Sequence, residues 1–158
     1  KIEIREASLE HGEEIYALAR ELAASVGDSP PEREAVHGRL EELLEEPQAR
    51  VLVAQSGDAV VGAASLWIKP DLAHGDVVVE VPMLVVAEDH RRAGVGKLLV
   101  EEVRKLASEK RAGIIELIAT SDNTAAREFY RSLGFVETDH VALEYMGDLQ
   151  DPPEPEEQ

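Results

Sequence analysis

Apolar and polar residues alternate along some stretches of the chain and follow a helical period along others. Residues 1–7 alternate and predict a first strand. Apolar residues recur at helical spacing over 9–24, and again from a turn at Pro31 to the residues before Pro47. The amino-terminal part is therefore predicted to contain one strand followed by two helices.

A hairpin and a long central strand are predicted next. Residues 51–54 and 59–68 have the composition of two strands, and the turn Ser56-Gly57-Asp58 joins them. After a loop that contains Pro70, residues 77–86 are apolar enough to be buried on both faces of a sheet. The middle of the chain is thus predicted to supply the centre of the sheet.

The carboxyl-terminal half continues with alternating helices and strands. The predicted elements are a helix over 94–110, a strand over 114–120, a helix from Asp122 or Asn123 to Gly134, and a closing antiparallel pair over 135–137 and 141–146. The strand–helix–strand unit should hold two parallel strands, and the hairpins make the sheet mixed. The predicted class is α/β (α+β), with a mixed, mainly antiparallel central sheet flanked by helices. Residues 1–147 form the predicted domain, and 148–158, rich in proline and acidic residues, a disordered tail.

The chain carries a formal net charge of −17 over 158 residues and contains no cysteine. That charge argues against nucleic acid and membrane partners, and it would attract a cationic substrate such as an amine. Without cysteine there is no disulfide, thiolate metal site or cysteine nucleophile, and no His, Asp and Glu grouping has metal-ligand spacing. The sequence has no signal-peptide pattern, so the expected location is the cytoplasm.

The residues Arg91-Arg92-Ala93-Gly94-Val95-Gly96-Lys97 form a basic, glycine-punctuated turn between a predicted strand and a predicted helix. Backbone N–H groups at a helix start can bind an anion, and Gly94 and Gly96 would let the backbone approach a phosphate. The dinucleotide fingerprint fails because Leu99 stands where its third glycine belongs. A Walker A loop fails because Arg91 and Leu98 occupy its glycine and hydroxyl positions. The loop therefore predicts a pyrophosphate site of a different kind.

Two motifs together show which family the chain resembles. Arg91, Gly94 and Gly96 fit the pattern R-x-x-G-x-G, and residues 123–135 fit N-x-x-A-x-x-F-Y-x-x-x-G-F. Both motifs, and the order of helices and strands over about residues 1–147, resemble those of the GNAT acetyltransferase superfamily. The resemblance implies the GNAT acyl-CoA N-acyltransferase fold, acetyl-CoA as co-substrate, and transfer of its acetyl group to a primary amine by direct attack.

The resemblance also implies where the coenzyme binds. Backbone amides from Arg92 through Lys97 would hold the pyrophosphate, and the strand over 84–86 would separate from the strand over 114–120 to receive the pantetheine arm. An exposed N–H near Leu84 or Val85 would polarise the thioester carbonyl. The implied coenzyme-binding residues are Leu84, Val85, Val86, Arg91, Arg92, Ala93, Gly94, Val95, Gly96, Lys97, Asn123, Ala126 and Tyr130. For Asn123, capping of the following helix is an equally good explanation.

Two side chains are candidate catalytic groups. By the resemblance, Tyr130 protonates the departing thiolate, and the alternative is that it only packs beside Phe129. Many relatives carry the acid that deprotonates the amine at the position of Met83, and methionine cannot do that work. Glu80 is the nearest candidate base, but a regular strand would turn it to the other face. Pro82 has no N–H to donate, so a bulge there could restore the aim of Glu80.

The acceptor has no readable code in the sequence. We expect the loops over 26–31 and 68–76 to surround it, and a small amine, a polyamine, an aminoglycoside or a protein amine would all suit the acidic charge. The competing hypothesis is a noncatalytic acyl-CoA sensor or interaction module with the same fold, which Met83 favours and Tyr130 opposes. A homodimer is a further possibility, because the edges of the predicted sheet need covering.

Overall fold

Strands and helices follow one another in nearly the predicted order over residues 1–150 and Pro155, which the computed structural model describes. The strands are β1 (Ile2–Glu6), β2 (Ala49–Ser56), β3 (Ala59–Asp71), β4 (Asp76–Val86) and β5 (Ile114–Glu116). The α-helices are α1 (Gly12–Ser25), α2 (Arg33–Glu45), α3 (Val95–Glu109) and α4 (Thr124–Ser132). Most of the predicted tail, 148–158, lies outside the described residues, and its division from a domain over 1–147 stays a prediction.

The five strands form one sheet in the order β1-β2-β3-β4-β5. The pairings from β1 to β4 are antiparallel, whereas β4 and β5, which are connected through α3, run parallel. A sheet of this kind confirms the predicted fold class. In the described part of the chain, no helix is both long and apolar enough to cross a bilayer.

The sheet buries apolar side chains on both of its faces. On one face α3 packs Val95, Leu99 and Val103 against Val79 of β4, and each of these side chains is at most 2% exposed. On the other face Ile15, Leu18 and Leu40 of α1 and α2 cover residues of β2, β3 and β4. Burying a side chain of this size stabilises a fold by about 1.5–3 kcal/mol, so both layers hold β4 in place.

The connection between β3 and β4 is shorter than predicted. We expected a loop that contains Pro70 between 68 and 77, but β3 continues to Asp71 and only Leu72–Gly75 form the turn. Pro70 is tolerated because it lies beyond the start of β2, and the last bond on this side runs from Ile68 N to the O of Gln48, the residue before β2. Its missing N–H therefore breaks no bond to β2.

The predicted strands of the carboxyl-terminal part are mostly absent from the described residues. The strand expected over 114–120 pairs only from Ile114 to Glu116, and the closing pair expected over 135–137 and 141–146 forms no strand. Leu143 is 92% exposed, so its segment lies away from the core. An alternating pattern shows that a segment can pair in a sheet, but it does not specify the partner strand.

Candidate active site

A left-handed turn leads from β4 into α3. Arg92 and Gly94 have φ angles of 65° and 84°, and Gly94 is the residue that precedes the first turn of α3. The first bond of the helix runs from Leu98 N to Gly94 O, at 3.1 Å. The backbone N–H groups of residues 92–97 donate to no acceptor in the described part of the chain. These N–H groups, at the positive end of a helix of 15 residues, are suited to bind an anion.

The two glycines of this turn meet different requirements. A Cβ at Gly94 would have no neighbour within 4 Å, so this position needs glycine for its positive φ. A Cβ at Gly96 would lie 2.9 Å from Cζ of Phe129. Gly96 therefore lets α4 pack closely against the start of α3, a role that adds to the phosphate approach expected from the sequence.

The strand that precedes this turn diverges from its parallel neighbour. β4 pairs with β5 only from Val78 to Glu80, so Leu84–Val86 have no strand on that side. Ala87 N donates to Val61 O of β3 at 2.8 Å. Successive N–H groups of an extended strand point to opposite sides, so the Leu84 N–H faces the open gap. Of the two donors considered from the sequence, the geometry favours Leu84 over Val85.

A bulge at Pro82 changes which way Glu80 points. Met83 pairs with Ser65 and Glu80 pairs with Trp67, so two residues of β4 stand opposite one residue of β3. The bulge predicted at Pro82 is therefore confirmed. Because the alternation of faces shifts at the bulge, Glu80 lies on the same side of the sheet as Met83, which packs towards α1 and α2.

The Glu80 carboxylate forms an ion pair with Lys69 of β3. Lys69 Nζ lies 2.8 Å from Glu80 Oε2, and the two side chains are 48% and 43% exposed. Such partly exposed pairs contribute only about 0–1 kcal/mol, so an incoming ligand can displace the lysine. Glu116 of β5 stands beside Glu80 in the parallel register.

The turn between β3 and β4 adds a second ion pair near these carboxylates. His74 Nδ1 lies 2.6 Å from Asp71 Oδ2. The hydrogen bond to Asp71 raises the pKa of His74 above its usual value, and the charges of Asp76 and Glu116 act in the same direction. This end of the sheet therefore carries a concentration of negative charge.

Tyr130 lies on α4 between two other aromatic rings. Its ring makes edge-to-face contacts with Phe129, at 5.0 Å between centroids, and with Phe135, at 5.5 Å. Burial raises the pKa of Tyr130 to about 12. The phenol therefore stays protonated at neutral pH and can serve as a hydrogen-bond donor.

Asn123 caps α4 through its side chain. Asn123 Oδ1 accepts a hydrogen bond from Ala126 N at 3.1 Å. The Ala126 amide is consequently occupied, and a coenzyme contact of these two residues stays a prediction. Arg127 fixes the ends of the same helix, because it donates to Ser121 O and pairs with both carboxylate oxygens of Glu137 at 2.9 and 2.8 Å.

An open cavity of about 420 Å³ lies between the end of α1 and the start of α4. It is lined by Ser25, Val26, Gly27, Thr120, Asp122, Asn123, Thr124 and Ala125. Of the two loops expected to surround the acceptor, the first contributes Val26 and Gly27, and the second contributes none of this lining. Glu80 also lies outside the lining.

In the described part of the chain, no group of three or more His, Asp or Glu side chains is arranged to hold a metal ion.

The site residues predicted from sequence thus fall into two groups. The turn before α3, the free N–H of Leu84 and the α4 aromatic cluster lie around one end of the sheet, linked by the contact of Gly96 with Phe129. Glu80 stands further along β4 with Lys69, a partner that the sequence analysis did not identify. The alternation of β3 places Trp67 and Lys69 on the same face, and this pattern could have identified Lys69 as a partner of Glu80.

Comparisons with known proteins identify the family. The sequence profile of the acetyltransferase (GNAT) family matches residues 13–135. A putative [ribosomal protein bS18]-alanine N-acetyltransferase of Bacillus subtilis (strain 168) is 26% identical over 134 residues, which cover 85% of this chain and 80% of that protein. An aminoglycoside N(6')-acetyltransferase type 1 of Salmonella enteritidis is 24% identical over 143 residues, which cover 89% of this chain and 95% of that protein.

A solved structure shows the same fold. The structure of AAC(6')-Iy in complex with the bisubstrate analog CoA-S-monomethyl-acetylneamine superposes with a TM-score of 0.79. It is 24% identical to this chain and the match covers 91% of this chain and 97% of that one.

Proposed function

The chain belongs to the acetyltransferase (GNAT) family, and from that premise we propose which of its residues carry out acetyl transfer from acetyl-CoA to a primary amine. The enzyme is an acetyl-CoA-dependent N-acetyltransferase. The observation that carries the residue assignment is the run of free backbone N–H groups from Arg92 to Lys97 at the start of α3. The homodimer and the cytoplasmic location stay predictions.

The turn before α3 fits the diphosphate of coenzyme A. Its free N–H groups can each donate to a phosphate oxygen, and the open space above Gly94 leaves the approach clear. Arg91 Nε donates to Val86 O at 3.3 Å, which ties the turn to the end of β4. The pantetheine arm then enters the gap where β4 and β5 diverge, as the pairing pattern allows.

The Leu84 N–H is our candidate for the donor that polarises the thioester carbonyl. It faces the gap, and the neighbouring residue Val85 is only 4% exposed. A fixed donor of this kind stabilises the negative charge that develops on the carbonyl oxygen as the amine attacks. The loss of one such donor typically lowers kcat by about 10²–10³.

Tyr130 is our candidate for the group that meets the departing thiolate. A phenol with a pKa of about 12 is a weaker acid than a thiol with a pKa of about 8.5, so complete proton transfer would be uphill by about 5 kcal/mol. We infer that Tyr130 mainly stabilises the thiolate by donating a hydrogen bond. The family resemblance implied that Tyr130 transfers its proton to the thiolate completely. In this interpretation the phenol keeps its proton and shares it with the thiolate through a hydrogen bond.

Glu80 is our candidate for the general base. An amine with a pKa of about 10.4 needs about 4–5 kcal/mol to lose its proton at pH 7, and a carboxylate that accepts the proton lowers this barrier. The bulge at Pro82 places Glu80 on the face of Met83, where many relatives carry their acid. We infer that the proton passes through an intervening water, a usual route when a carboxylate serves as the base.

The acceptor that these charges favour is a cationic amine. Asp71, Asp76, Glu80 and Glu116 gather at one end of β4 and β5, and the named relatives act on an aminoglycoside and on a ribosomal protein. We therefore propose an acceptor with at least two positive charges, one of which is lost on acetylation. This class includes polyamines, aminoglycosides and basic protein amines.

Release of coenzyme A, followed with a thiol reagent, tests the proposal. The chain has no cysteine, so the reagent reports coenzyme A alone. The panel would hold a polyamine, an aminoglycoside, a basic peptide with a free amino terminus and a simple amino alcohol, which carries one positive charge at pH 7. We expect turnover with at least one acceptor that carries two or more positive charges and little with the amino alcohol. Binding of acetyl-CoA without turnover on any acceptor would support the noncatalytic sensor instead.

A further inference from the structure

The carboxyl-terminal end of α4 is held by an arginine of α3. Arg104 Nη2 donates a hydrogen bond to Leu133 O. The Cζ atom of the same guanidinium lies 5.8 Å from the centroid of the Phe135 ring. A Cβ at Gly134, between these two residues, would lie 3.7 Å from Arg104 Nη2. Arg104 therefore lies against the segment that ends the helix of Tyr130.

An arginine suits this position in two ways. The last carbonyl groups of a helix have no partner within the helix and form its negative end, so a cation placed there is stabilising. A planar guanidinium can also lie against an aromatic ring while its N–H groups donate to other acceptors. Arg104 does both from an exposed position on α3.

The end of α4 is directly connected to Tyr130. Phe135 N donates to Tyr130 O at 3.0 Å, and Leu133 N donates to the same oxygen at 3.1 Å. The Phe135 ring, against which Arg104 lies, makes an edge-to-face contact with the Tyr130 ring at 5.5 Å between centroids. A displacement of Leu133 or Phe135 would therefore move the phenol as well.

The helix α4 is held without a fully buried residue of its own. The structure describes all of Thr124–Ser132, and each of these residues is at least partly exposed. Gly96, near the start of α3, contacts Phe129. Arg104 lies about 12 Å further along the axis of the same helix. Two contacts at this separation fix the direction of α4 against α3 as well as the distance between the helices.

The coenzyme makes this geometry important. Its diphosphate and its sulfur are joined by a pantetheine arm of limited length. In the proposed function the diphosphate lies at the start of α3 and the sulfur lies beside Tyr130. The placement of α4 against α3 must therefore match the reach of the arm. A misplacement of about 1 Å can lower a rate by about 10²-fold.

We propose that Arg104 is a positioning residue for acetyl transfer. By capping α4 and supporting Phe135, it holds the Tyr130 hydroxyl within hydrogen-bond distance of the departing thiolate. The proposal rests on the role of Tyr130 in the proposed function. Arg104 itself touches neither the coenzyme nor the acceptor and acts through α4.

The thiol of bound coenzyme A tests this role without any acceptor. The chain contains no cysteine, so the thiolate absorbance gained on adding coenzyme A reports the coenzyme alone. In the wild type, the hydrogen bond from Tyr130 should lower the pKa of the bound thiol below its usual value of about 8.5. Arg104→Met should raise this pKa again, as Tyr130→Phe does. Arg104→Lys, which keeps the charge and a donor but loses the planar group, should restore part of the difference.

Lys105→Met is the matched control. It removes one positive charge from the next residue of α3, which is also exposed. We expect this variant to keep the wild-type thiol titration, and we expect calorimetry to give Arg104→Met and Lys105→Met the wild-type affinity for coenzyme A. The proposal would be overturned if Arg104→Met left the thiol pKa unchanged while Tyr130→Phe raised it. An equal rise in Lys105→Met and Arg104→Met would also overturn it, because the effect would then be one of net charge.

Turnover with the best acceptor of the panel gives the second test. We expect Arg104→Met to lower kcat by about tenfold and to change the Michaelis constant for acetyl-CoA by about twofold or less. In a Tyr130→Phe background the same substitution should have little further effect, because the hydroxyl that Arg104 positions is already gone. Circular dichroism would show that each variant remains folded.

The same measurements separate the two levels of the proposal. Equal losses of kcat from Arg104→Met in both backgrounds would overturn the positioning role and leave the role of Tyr130 intact. A Tyr130→Phe variant with wild-type kcat and a wild-type thiol pKa would overturn the role of Tyr130, and the proposal for Arg104 with it.

Discussion

The coenzyme side and the acceptor side of this enzyme are built in different ways. On the proposed coenzyme side, backbone N–H groups would bind the ligand, and Val95 and Leu99 of α3, which are 1% and 0% exposed, anchor these groups to the core. On the acceptor side the candidate base is a half-exposed side chain paired with a half-exposed lysine. The first arrangement is held by the core and would serve one fixed ligand. The second can be changed by a few surface substitutions, which suits a family whose relatives act on different amines.

The largest effect that this comparison predicts concerns the backbone of β4. Leu84→Pro removes the N–H that faces the gap without breaking a bond to β3, so we expect kcat to fall by about 10²–10³ while the affinity for coenzyme A changes little. Leu84→Ala is the control that keeps the donor and should retain most of kcat. Equal losses in both variants would show that the side chain matters and the N–H does not.

Removal of the Tyr130 hydroxyl should have the next largest effect. In Tyr130→Phe we expect kcat to fall by about 10²-fold, because the thiolate loses its hydrogen-bond donor. The Michaelis constant for the acceptor should stay nearly the same if the phenol acts on the thiolate alone. Phe129→Leu changes the neighbouring ring without touching the hydroxyl and separates a packing effect from a chemical one.

The burial of Tyr130 also predicts a dependence of stability on alkaline pH. The folded-state pKa of about 12 lies above the usual value of 10.0, so the folded state holds this proton more tightly than the unfolded state does. The protonated phenol therefore adds about 2–3 kcal/mol to the free energy of unfolding. This stabilisation is fully present below pH 10 and is lost as the pH rises to 12. Denaturant unfolding of wild type and Tyr130→Phe across this range measures it. The wild type should lose more stability than the variant, and parallel curves would contradict the assignment.

The contact between α3 and α4 is open to a conservative test. Gly96→Ala would place a methyl group 2.9 Å from Cζ of Phe129, so we expect a loss of about 1–3 kcal/mol in the free energy of unfolding. The double variant Gly96→Ala with Phe129→Leu should lose less than the sum of the two single changes. If the two losses in unfolding free energy were strictly additive, the side chains at positions 96 and 129 would not be in steric contact.

The smallest of these effects should appear on the acceptor side. We expect Glu80→Gln to lower kcat/KM for the amine by about tenfold at pH 7, and less at a pH where the amine is already neutral. Lys69→Met, which removes only the exposed ion pair, should change kcat/KM by about threefold or less. An equal loss at all pH values would argue that Glu80 positions the acceptor and does not accept its proton.

The sequence predicted the backbone of β4 and of the turn before α3 well because its signals there are local. Glycines and arginines before an amphipathic helix, and a proline inside an apolar strand, determine backbone conformation within a few residues. The divergence of β4 from β5 and the bulge at Pro82 are both present in the structure. The roles of Gly96 and of Lys69 were less accessible, since each depends on a residue that is distant in the sequence or on a neighbouring strand.

The carboxyl-terminal part shows where sequence patterns reach their limit. Residues 141–146 have the alternation of a strand, and the prediction that they close the sheet of their own chain was wrong for the described residues. Hydrophobic alternation specifies a capacity for pairing, whereas the partner depends on which edges remain open after the rest of the chain has folded.

Amide chemical shifts provide the most direct test of the central claim, which is that the backbone between Arg92 and Lys97 binds the diphosphate of acetyl-CoA. The protein labelled with ¹⁵N would be titrated with coenzyme A and, separately, with pantetheine, which lacks the diphosphate. We predict that coenzyme A shifts the amide signals of residues 92–97 strongly and that pantetheine leaves them nearly unchanged. Equal shifts with both ligands, or no shift in this turn with coenzyme A, would contradict the account.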